Sequence, residues 1–499
     1  MTRSGKEYIA RLRDGRQVFI DGDPVADVTE HHAFVRSIET IAGLYDLAHD
    51  PANRQTMTHR SPATGDPVNT AFLIPRSGAD LTRRRQAIEM WARPTLGLMG
   101  RSPDHVASFL TAFAAARRVF GRGGNQFADN VVRFYEHVRD EDLYCSYVIV
   151  PPQIDRSKPA HQQADPHLYA GVKAATDDGI VIRGAQMLGT GTPLSDYVLL
   201  STIHPMQPGD ENYAISVAIP VEAPGLKVLC RRSYATAASS VFDYPLATRF
   251  DEMDSFVVFD DVFVPWEHVF VYRDLALTRA QFFETAAHLL GNHQAQVRFS
   301  VKLTFLVGLA HRVAEMNGSL AIPAVQGALG ELAAHAAMVR ALVLAQEGAP
   351  VIDEDGVARP NPQALYANMT LQGDIYAAVC HKIRDLCGGG LIQLPSSYRD
   401  FGSPEIAGDI DRYMQSPGFP APERVKLLKL VWDAIGSEFG GRHLQYEMFY
   451  AGAPFVVKGH MFRNYDFAEA TRLVTEALAG YDLPPLDEDA HAAKQGLGS

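Results

Sequence analysis

From Ser4 to about Glu141 the apolar residues recur at helical spacing, and from Asp142 to about Trp266 they come in short β-branched runs broken by Gly and Asp. Helical spacing returns at Gln281 and holds almost to the end. The pattern divides the chain into a helical domain over 1–142, a β-domain over 143–275 and a helical bundle with a tail over 276–499. The fold class is therefore mainly α with a central antiparallel β-domain.

In the first block a helix is expected over Ser4–Arg13, then a turn at Asp14-Gly15 and an extended QVFIDG closed by a second turn. Helices follow over Val35–Leu47 and Asp80–Arg93; in the latter Leu81, Ile88 and Trp91 share one face, and Arg83, Arg84 and Arg85 read as a solvated face opposite. Ser102 can cap, Pro103 suits the first helical position and Asp104 the first turn, so another helix starts there and runs through Phe109, Leu110 and Phe113. Arg101 stands at the positive end of that helix, a place for a bound anion or for a paired surface carboxylate.

Strands are expected over Leu168–Ala175, Gly179–Arg183, Tyr197–Ile203, Tyr213–Pro220, Leu226–Arg232 and Ser255–Val264, with hairpin-length gaps and no intervening helices. That spacing excludes a βαβ nucleotide fold. The Gly/Thr-rich loop GTGTPLSD, Gly189 to Asp196, offers hydroxyls and unhindered amides. In the third block Val297–Val313 is apolar on most sides and should lie centrally, while Val325, Leu329, Leu332, Ala336, Val339 and Val343 form the seam of a bundle helix. His293, Gln294 and Arg298 open the central helix, and His293 is either a core or cap residue or a site residue. An acidic loop over Glu347–Asn361, three consecutive glycines at Gly388–Gly390, an amphipathic helix over Val425–Phe439 and a last helix with a Pro-rich acidic tail complete the chain.

The joint between the first two blocks, Asp142 to Arg156, ends in Pro151-Pro152 and a Gln/Asp/Arg cluster. Its backbone is committed to few ladders, so it either holds a ligand between layers or is a tight linker in which Asp155 and Arg156 pair.

Composition narrows the function. A net charge of −12 over 499 residues gives no footprint for nucleic acid or an anionic membrane. Cys145, Cys230, Cys380 and Cys387 form neither a disulfide framework nor a metal-ligand spacing, which implies a reducing, cytoplasmic setting and no metal site. No apolar run reaches membrane-spanning length and the first residues lack a signal-peptide core, so a soluble protein is expected. The sequence has no phosphate-binding loop and no dinucleotide fingerprint between a strand and a helix, which argues against ATP or NAD(P)H bound by the usual routes.

Seven segments in order resemble the large component of the two-component 4-hydroxyphenylacetate 3-monooxygenase family: TRSGKEYIARLRDGRQVFIDG, MGRSPDH, VIVPPQIDR, GTGTPLSD, FDDVFVPWEHVFVY, GGGLIQLPSS and VKLLKLVWDAIGSEFGGRHLQYEMFYAG. The resemblance covers nearly the whole chain. It implies an acyl-CoA-dehydrogenase-like fold of N-terminal helices, middle β-barrel and C-terminal four-helix bundle, assembled as a homotetramer. It also implies FADH2 delivered by a separate NAD(P)H:flavin reductase, O2 as co-substrate, and ortho-hydroxylation of a phenol through a C4a-hydroperoxyflavin. Carried over by position, the flavin contacts are Tyr147, Val148, Ile149, Val150, Gln153, Ile154, Asp155, Arg156 and Thr190, with Phe449, Tyr450, Ala451 and Gly452 closing the site. Gly388–Gly390 would approach the cofactor of a neighbouring subunit.

The catalytic residues implied are Arg101, His105 and Tyr147. The family often has Tyr at the position of His105 and His at that of Tyr147, so the two side chains have exchanged roles or the pocket has been recut for another phenol. Ser201 and Thr202 match the position that contacts the far end of the substrate, and His293 is a further candidate substrate contact. Two alternatives stand beside this reading. One is a non-catalytic flavin- or phenol-binding homologue. The other is a lyase like 4-hydroxybutyryl-CoA dehydratase, which needs an iron-sulfur cluster held by three Cys and a His, whereas GLMGRSPDH contains no cysteine.

Overall fold

The computed structural model describes residues 2–235 and 240–483; the acidic tail expected at the C-terminus lies outside the described residues. The strands of its two larger sheets are β1 (Gln17–Ile20), β2 (Asp23–Pro24), β3 (Cys145–Val148), β4 (Gly171–Ala175), β5 (Gly179–Gln186), β6 (Tyr197–Leu200), β7 (Ile215–Pro220), β8 (Leu226–Cys230), β9 (Ser255–Pro265) and β10 (Val269–Tyr272). They build a six-stranded sheet in the order β2-β1-β8-β9-β5-β4 and a four-stranded sheet in the order β10-β7-β6-β3. In β9 burial alternates until Asp260 and Asp261, where the register against β5 shifts between Phe259 and Val262 and Asp261 takes φ 60°. This bulge turns both carboxylates outward to Lys227, Lys173 and Arg183.

The β-domain is not wholly antiparallel. β1 runs parallel to β8, with Gln17 opposite Lys227, and β3 runs parallel to β6, with Tyr147 opposite Leu199. Both exceptions are strands that enter from the helical block, and strands not joined by a hairpin are free to pair in parallel. The second pairing matters for the site. Alternation puts Tyr147 and Ile149 on the same face as Leu199 and Ser201, and Ser216 joins them from β7.

The first block contributes α1 (Gly5–Arg11), α2 (Val35–Asp46), α3 (Gly78–Ala92), α4 (Pro103–Ala115) and α5 (Asn125–Asp140). The arginine triplet of α3 is not a solvated face. Arg84 is 1% exposed, with Nη1 donating to the carbonyls of Ala71 and Leu73 and Nη2 to Ser108 Oγ. Arg85 pairs with Glu89 at 2.9 Å and Glu347 at 2.7 Å, and Arg83 donates to the Thr58 carbonyl. Apart from Glu89, which is on α3 itself, the partners come from other elements, so the helical pattern alone could not show that this face is covered.

The last block holds α6 (Leu275–Phe283), α7 (Ala287–Met316), α8 (Pro323–Gly348), α9 (Pro362–Cys387), α10 (Ala421–Ile435), α11 (Glu438–Phe449), α12 (Pro454–Asn464) and α13 (Phe467–Leu478). The central α7 packs on α8, α9 and α10, and α11 lies against α9. N-terminal helices, a two-sheet β-domain and a C-terminal helical bundle follow one another in this order, as the resemblance implies. The helix expected over Val425–Phe439 is broken at Gly436, because Ser437 accepts from Gly440 N and starts α11 afresh. The last amphipathic helix is two, α12 and α13, with Asp466 capping the second. The acidic loop contains a short hairpin, Val351–Ile352 against Ala358–Arg359.

Along α8, Leu332, Val339 and Val343 are buried and Leu329 and Ala336 partly so. The helix is long and apolar enough by length and composition to cross a membrane, yet only 17% of its most apolar window is buried.

A fully buried polar knot ties α11 to α7. Glu447 accepts from Arg298 at 2.7 and 3.0 Å, from Lys302 at 2.6 Å and from Gln372. Arg298 also donates to the carbonyl of Gly97 at 3.0 Å. Gly97 has φ +69°, and a Cβ there would sit 2.6 Å from the Arg298 carbonyl oxygen and 2.7 Å from Lys302 N. Only glycine lets the segment before α4 pass this close to α7.

Candidate functional site

Arg101 sits where that segment enters α4, with Ser102 as N-cap and Pro103 in the first turn. Its backbone N–H donates to Glu252, and its carbonyl accepts from the Tyr144 hydroxyl. The guanidinium is thereby aimed inward. Nη1 lies 2.7 Å from His105 Nε2, Nη2 donates to the Tyr450 carbonyl at 3.1 Å, and the group stands over the rings of Tyr147 at 5.2 Å and Tyr446 at 5.4 Å. The rings of His105 and Tyr147 are 5.5 Å apart. Arg101, His105 and Tyr147, drawn from α4 and β3, therefore form one cluster.

Burial opposes charge on Arg101, but Tyr147, Tyr446 and Glu252 outweigh it and raise its pKa further, so it stays cationic. His105 is held well below the usual imidazole range, first by burial and then by Arg101, and is neutral at pH 7. Its tautomer is fixed from behind. Gln294 Nε2 lies 3.2 Å from both oxygens of Asp104, which can only accept when ionised, so Gln294 Oε1 must accept the Nδ1–H of His105 at 3.0 Å. The lone pair of Nε2 is left to accept from Arg101 Nη1.

Burial pushes the Asp104 carboxyl up to about 6, although Ser102 and Gln294 hydrogen-bond to it. A carboxyl whose folded pKa lies above its unfolded value of 3.8 contributes stability below that value and loses it as pH rises through about 6. Asp104→Asn cannot ionise. Its stability relative to the parent is expected to climb from about pH 4 to above 6 and then level off, by up to ~3 kcal/mol. Thermal melts across that range check it; a difference independent of pH would show that Asp104 does not titrate there.

Next to the cluster lies a slot whose walls are mostly aromatic and aliphatic, including Phe109, Phe113, Tyr147 and Phe282. Ser201, Ser216 and Gln281 are its polar members. Thr202 is buried beside Ser201 but does not line the slot. His293 points elsewhere: its Nδ1 faces Gln346 at 2.8 Å and its Nε2 lies 3.9 Å from Glu347, inside the bundle. Sequence reading missed Gln281, Glu252, Tyr446 and the role of Gln294, since each reaches the site from a distant element.

The joint leaves the sheet at Val150, whose carbonyl accepts from Met187 N at 2.9 Å. Beyond it Gln153, Ile154 and Arg156 are exposed, Ile154 at 51%. Asp155 pairs with Lys158 at 3.1 Å and not with Arg156, which has no ion pair among the described residues. Thr190 donates to Asp254 at 2.7 Å, and Asp254 is held by Arg442 of α11. The Phe449–Gly452 segment closes over Arg101 through the Tyr450 carbonyl, leaving Phe449 43% exposed. Ile154 and Phe449 each offer exposed apolar surface and Arg156 an exposed guanidinium, the kinds of group that a flat ring bearing a pyrophosphate calls for. Val148, by contrast, is wholly buried and offers only backbone.

Comparison with known proteins agrees in family and in span. Residues 4–271 match the family described as 4-hydroxyphenylacetate 3-hydroxylase N terminal, and residues 278–479 match its C-terminal counterpart. The oxygenase component of 4-hydroxyphenylacetate 3-monooxygenase from Pseudomonas aeruginosa is 36% identical over 96% of this chain and 93% of its own length. A Streptomyces globisporus monooxygenase named for a (3S)-3-amino-3-(3-chloro-4-hydroxyphenyl)propanoyl group on a peptidyl-carrier protein is 37% identical over 90% of this chain and 85% of its own. Among solved structures, a 4-hydroxyphenylacetate 3-monooxygenase oxygenase component complexed with FAD and 4-hydroxyphenylacetate superposes with TM-score 0.90 at 35% identity, covering 96% of this chain and 100% of the other.

Proposed function

This chain belongs to the 4-hydroxyphenylacetate 3-hydroxylase family, and from that membership we propose that it is the oxygenase component of a two-component, FADH2-dependent monooxygenase that hydroxylates a phenol ortho to its hydroxyl. The observation that carries the reading is the Arg101, His105 and Tyr147 cluster beside an apolar, aromatic-lined slot. When bound, reduced FAD together with O2 supplies an electrophilic oxygen atom.

The chain's own residues prepare the phenol. A ring that is to be attacked by an electrophile reacts faster as the phenolate, and Arg101 is a fixed cation placed to hold that anion. His105, neutral, accepts from Arg101 Nη1 through its Nε2 lone pair and so holds the guanidinium in place for the phenol oxygen. Tyr147 forms the wall against which the ring lies. The apolar slot keeps water from the reacting centre, which protects the oxidant from unproductive decay.

The residues that would hold FAD are the joint from Tyr147 to Val150 and from Gln153 to Arg156, Thr190, and the Phe449–Gly452 segment. Arg156 is the cation for the pyrophosphate, and Ile154 and Phe449 are the apolar ledges for the ring. A separate NAD(P)H:flavin reductase completes the system. A homotetramer is proposed on the exposed apolar surface of the last block, where Phe462 is 67%, Leu473 56%, Val474 57% and Leu478 54% exposed. The four free thiols fit a reducing, cytoplasmic setting.

The test is the purified chain with a generic flavin reductase, NADH, FAD and a panel of para-substituted phenols, with products read by mass. A catechol from at least one phenol is expected. NADH consumption that yields only hydrogen peroxide with every phenol would refute the reading.

A further inference from the structure

The far end of the slot carries an acceptor with nothing to accept. Gln281 is 0% exposed and lines the slot, and its Nε2 donates to the Thr278 carbonyl at 2.8 Å and to Ser201 Oγ at 2.8 Å. A backbone carbonyl can only accept, so the atom facing it is the amide nitrogen and the orientation of the side chain is fixed. Gln281 Oε1 is then left buried with no partner. A second amide is spent in the same way beside it: Gln186 Nε2 donates to the Ser201 carbonyl at 3.1 Å, and Gln186 Oε1 also lacks a partner. Ser216, 4% exposed, adds a hydroxyl to the lining, and none of the residues lining the slot is charged.

Buried acceptors left empty are costly, and most in folded proteins are satisfied. Here the slot itself is the space from which a donor can come. A carboxylate at this end would be stripped of water, would face the Gln281 oxygen as a second acceptor and would find no cation. An ammonium would find donors' partners but no counter-charge among the lining residues.

We propose, resting on the phenol-hydroxylase reading above, that the substrate is a phenol whose para substituent ends in a neutral hydrogen-bond donor, an alcohol or a carboxamide, received by Gln281 Oε1 with Ser201 and Ser216 alongside. Gln281 is thus a specificity-determining residue. A site built to hydrogen-bond a polar group discriminates strongly against the analogue that lacks it, because its own buried polar atom is then left unpaired.

The experiment compares 4-(2-hydroxyethyl)phenol and 4-hydroxyphenylacetamide with 4-hydroxyphenylacetate and 4-ethylphenol, in the parent chain and in Gln281→Leu. Catechol formation with a generic flavin reductase gives kcat/KM, and calorimetry on the FAD-loaded protein without reductase gives affinity. In the parent, the alcohol and the amide are expected to exceed both the carboxylate and the ethyl compound by about tenfold or more in both measurements. In Gln281→Leu the preference for alcohol over ethyl should fall to about twofold or less, with a circular dichroism spectrum and a thermal melt like the parent's showing that the variant is folded.

A parent that prefers 4-hydroxyphenylacetate, or a Gln281→Leu variant that keeps the alcohol-to-ethyl ratio, overturns the assignment and leaves the hydroxylase reading standing. Binding in the expected order without any catechol supports the assignment of the pocket and removes the hydroxylase reading. No binding of any of the four removes both.

Discussion

Arg101→Ala is expected to lower coupled hydroxylation by about 10²–10³-fold, the scale on which losing one preorganised group that stabilises developing charge is felt. Among the described residues, this guanidinium is the cation that lies against both His105 and Tyr147. Without it the phenol binds next to a neutral imidazole and stays protonated, so the ring is less nucleophilic when the oxidant is ready. NADH consumption should continue and be diverted to hydrogen peroxide, because the separate reductase, and not Arg101, reduces the flavin. Arg101→Lys keeps the charge but gives up the geometry that lets one side chain reach His105 and the Tyr450 carbonyl together, and should recover only part of the loss. The ratio of catechol to peroxide per NADH is the readout. A ratio unchanged in Arg101→Ala would mean that another group stabilises the phenolate.

Glu447→Ala should cost about 3–5 kcal/mol of stability, the range found when one partner of a buried ion pair is removed. It would leave Arg298 and Lys302, 1% and 0% exposed, with two buried positive charges and no carboxylate between them. Burial by itself would raise the Glu447 pKa, but Arg298 and Lys302 hold it down at about 2. For a carboxyl depressed in this way the stabilisation is present above the ordinary value of 4.5 and is lost as pH falls through about 2. The stability gap between the parent and Glu447→Gln should therefore persist from neutral pH to about 4.5 and narrow below it. Denaturant titrations at several pH values measure it; equal stability of the two at neutral pH would mean that the knot contributes nothing net. Because Arg298 also grips the Gly97 carbonyl, loss of Glu447 should additionally loosen the segment that carries Arg101.

What sequence pattern could reach is set by the range over which it acts. The start of α4 was legible because Ser102, Pro103 and Asp104 are adjacent and each has a positional preference. The strands were legible from β-branched runs and turn residues. The cluster of Arg101, His105 and Tyr147 came from resemblance, since nothing local joins α4 to β3.

The features that stayed hidden are those fixed by a distant partner. Arg84 and Arg85 looked solvated because Ala71, Leu73, Ser108 and Glu347 cover them from other elements. His293 shares a helix with Gln294, yet the two neighbours face opposite ways, one to α8 and the other to His105 and Asp104. A one-residue step on a helix turns the side chain by roughly 100°, enough to move it from the core of a bundle to the wall of a site. Gln281 drew no notice because an amide in a helix is unremarkable until its two ends are seen to have unequal fates.

The parallel pairing of β1 with β8 has a consequence for how the protein is made. Gln17 finds its sheet neighbour only at Lys227, so while the ribosome is still working through the intervening chain the leading strand has only the two-residue β2 to pair with. Contacts between such remote positions form slowly, and the nascent N-terminal segment stays open to chaperones until the later strands emerge. Assembly of the larger sheet is thus timed by translation itself.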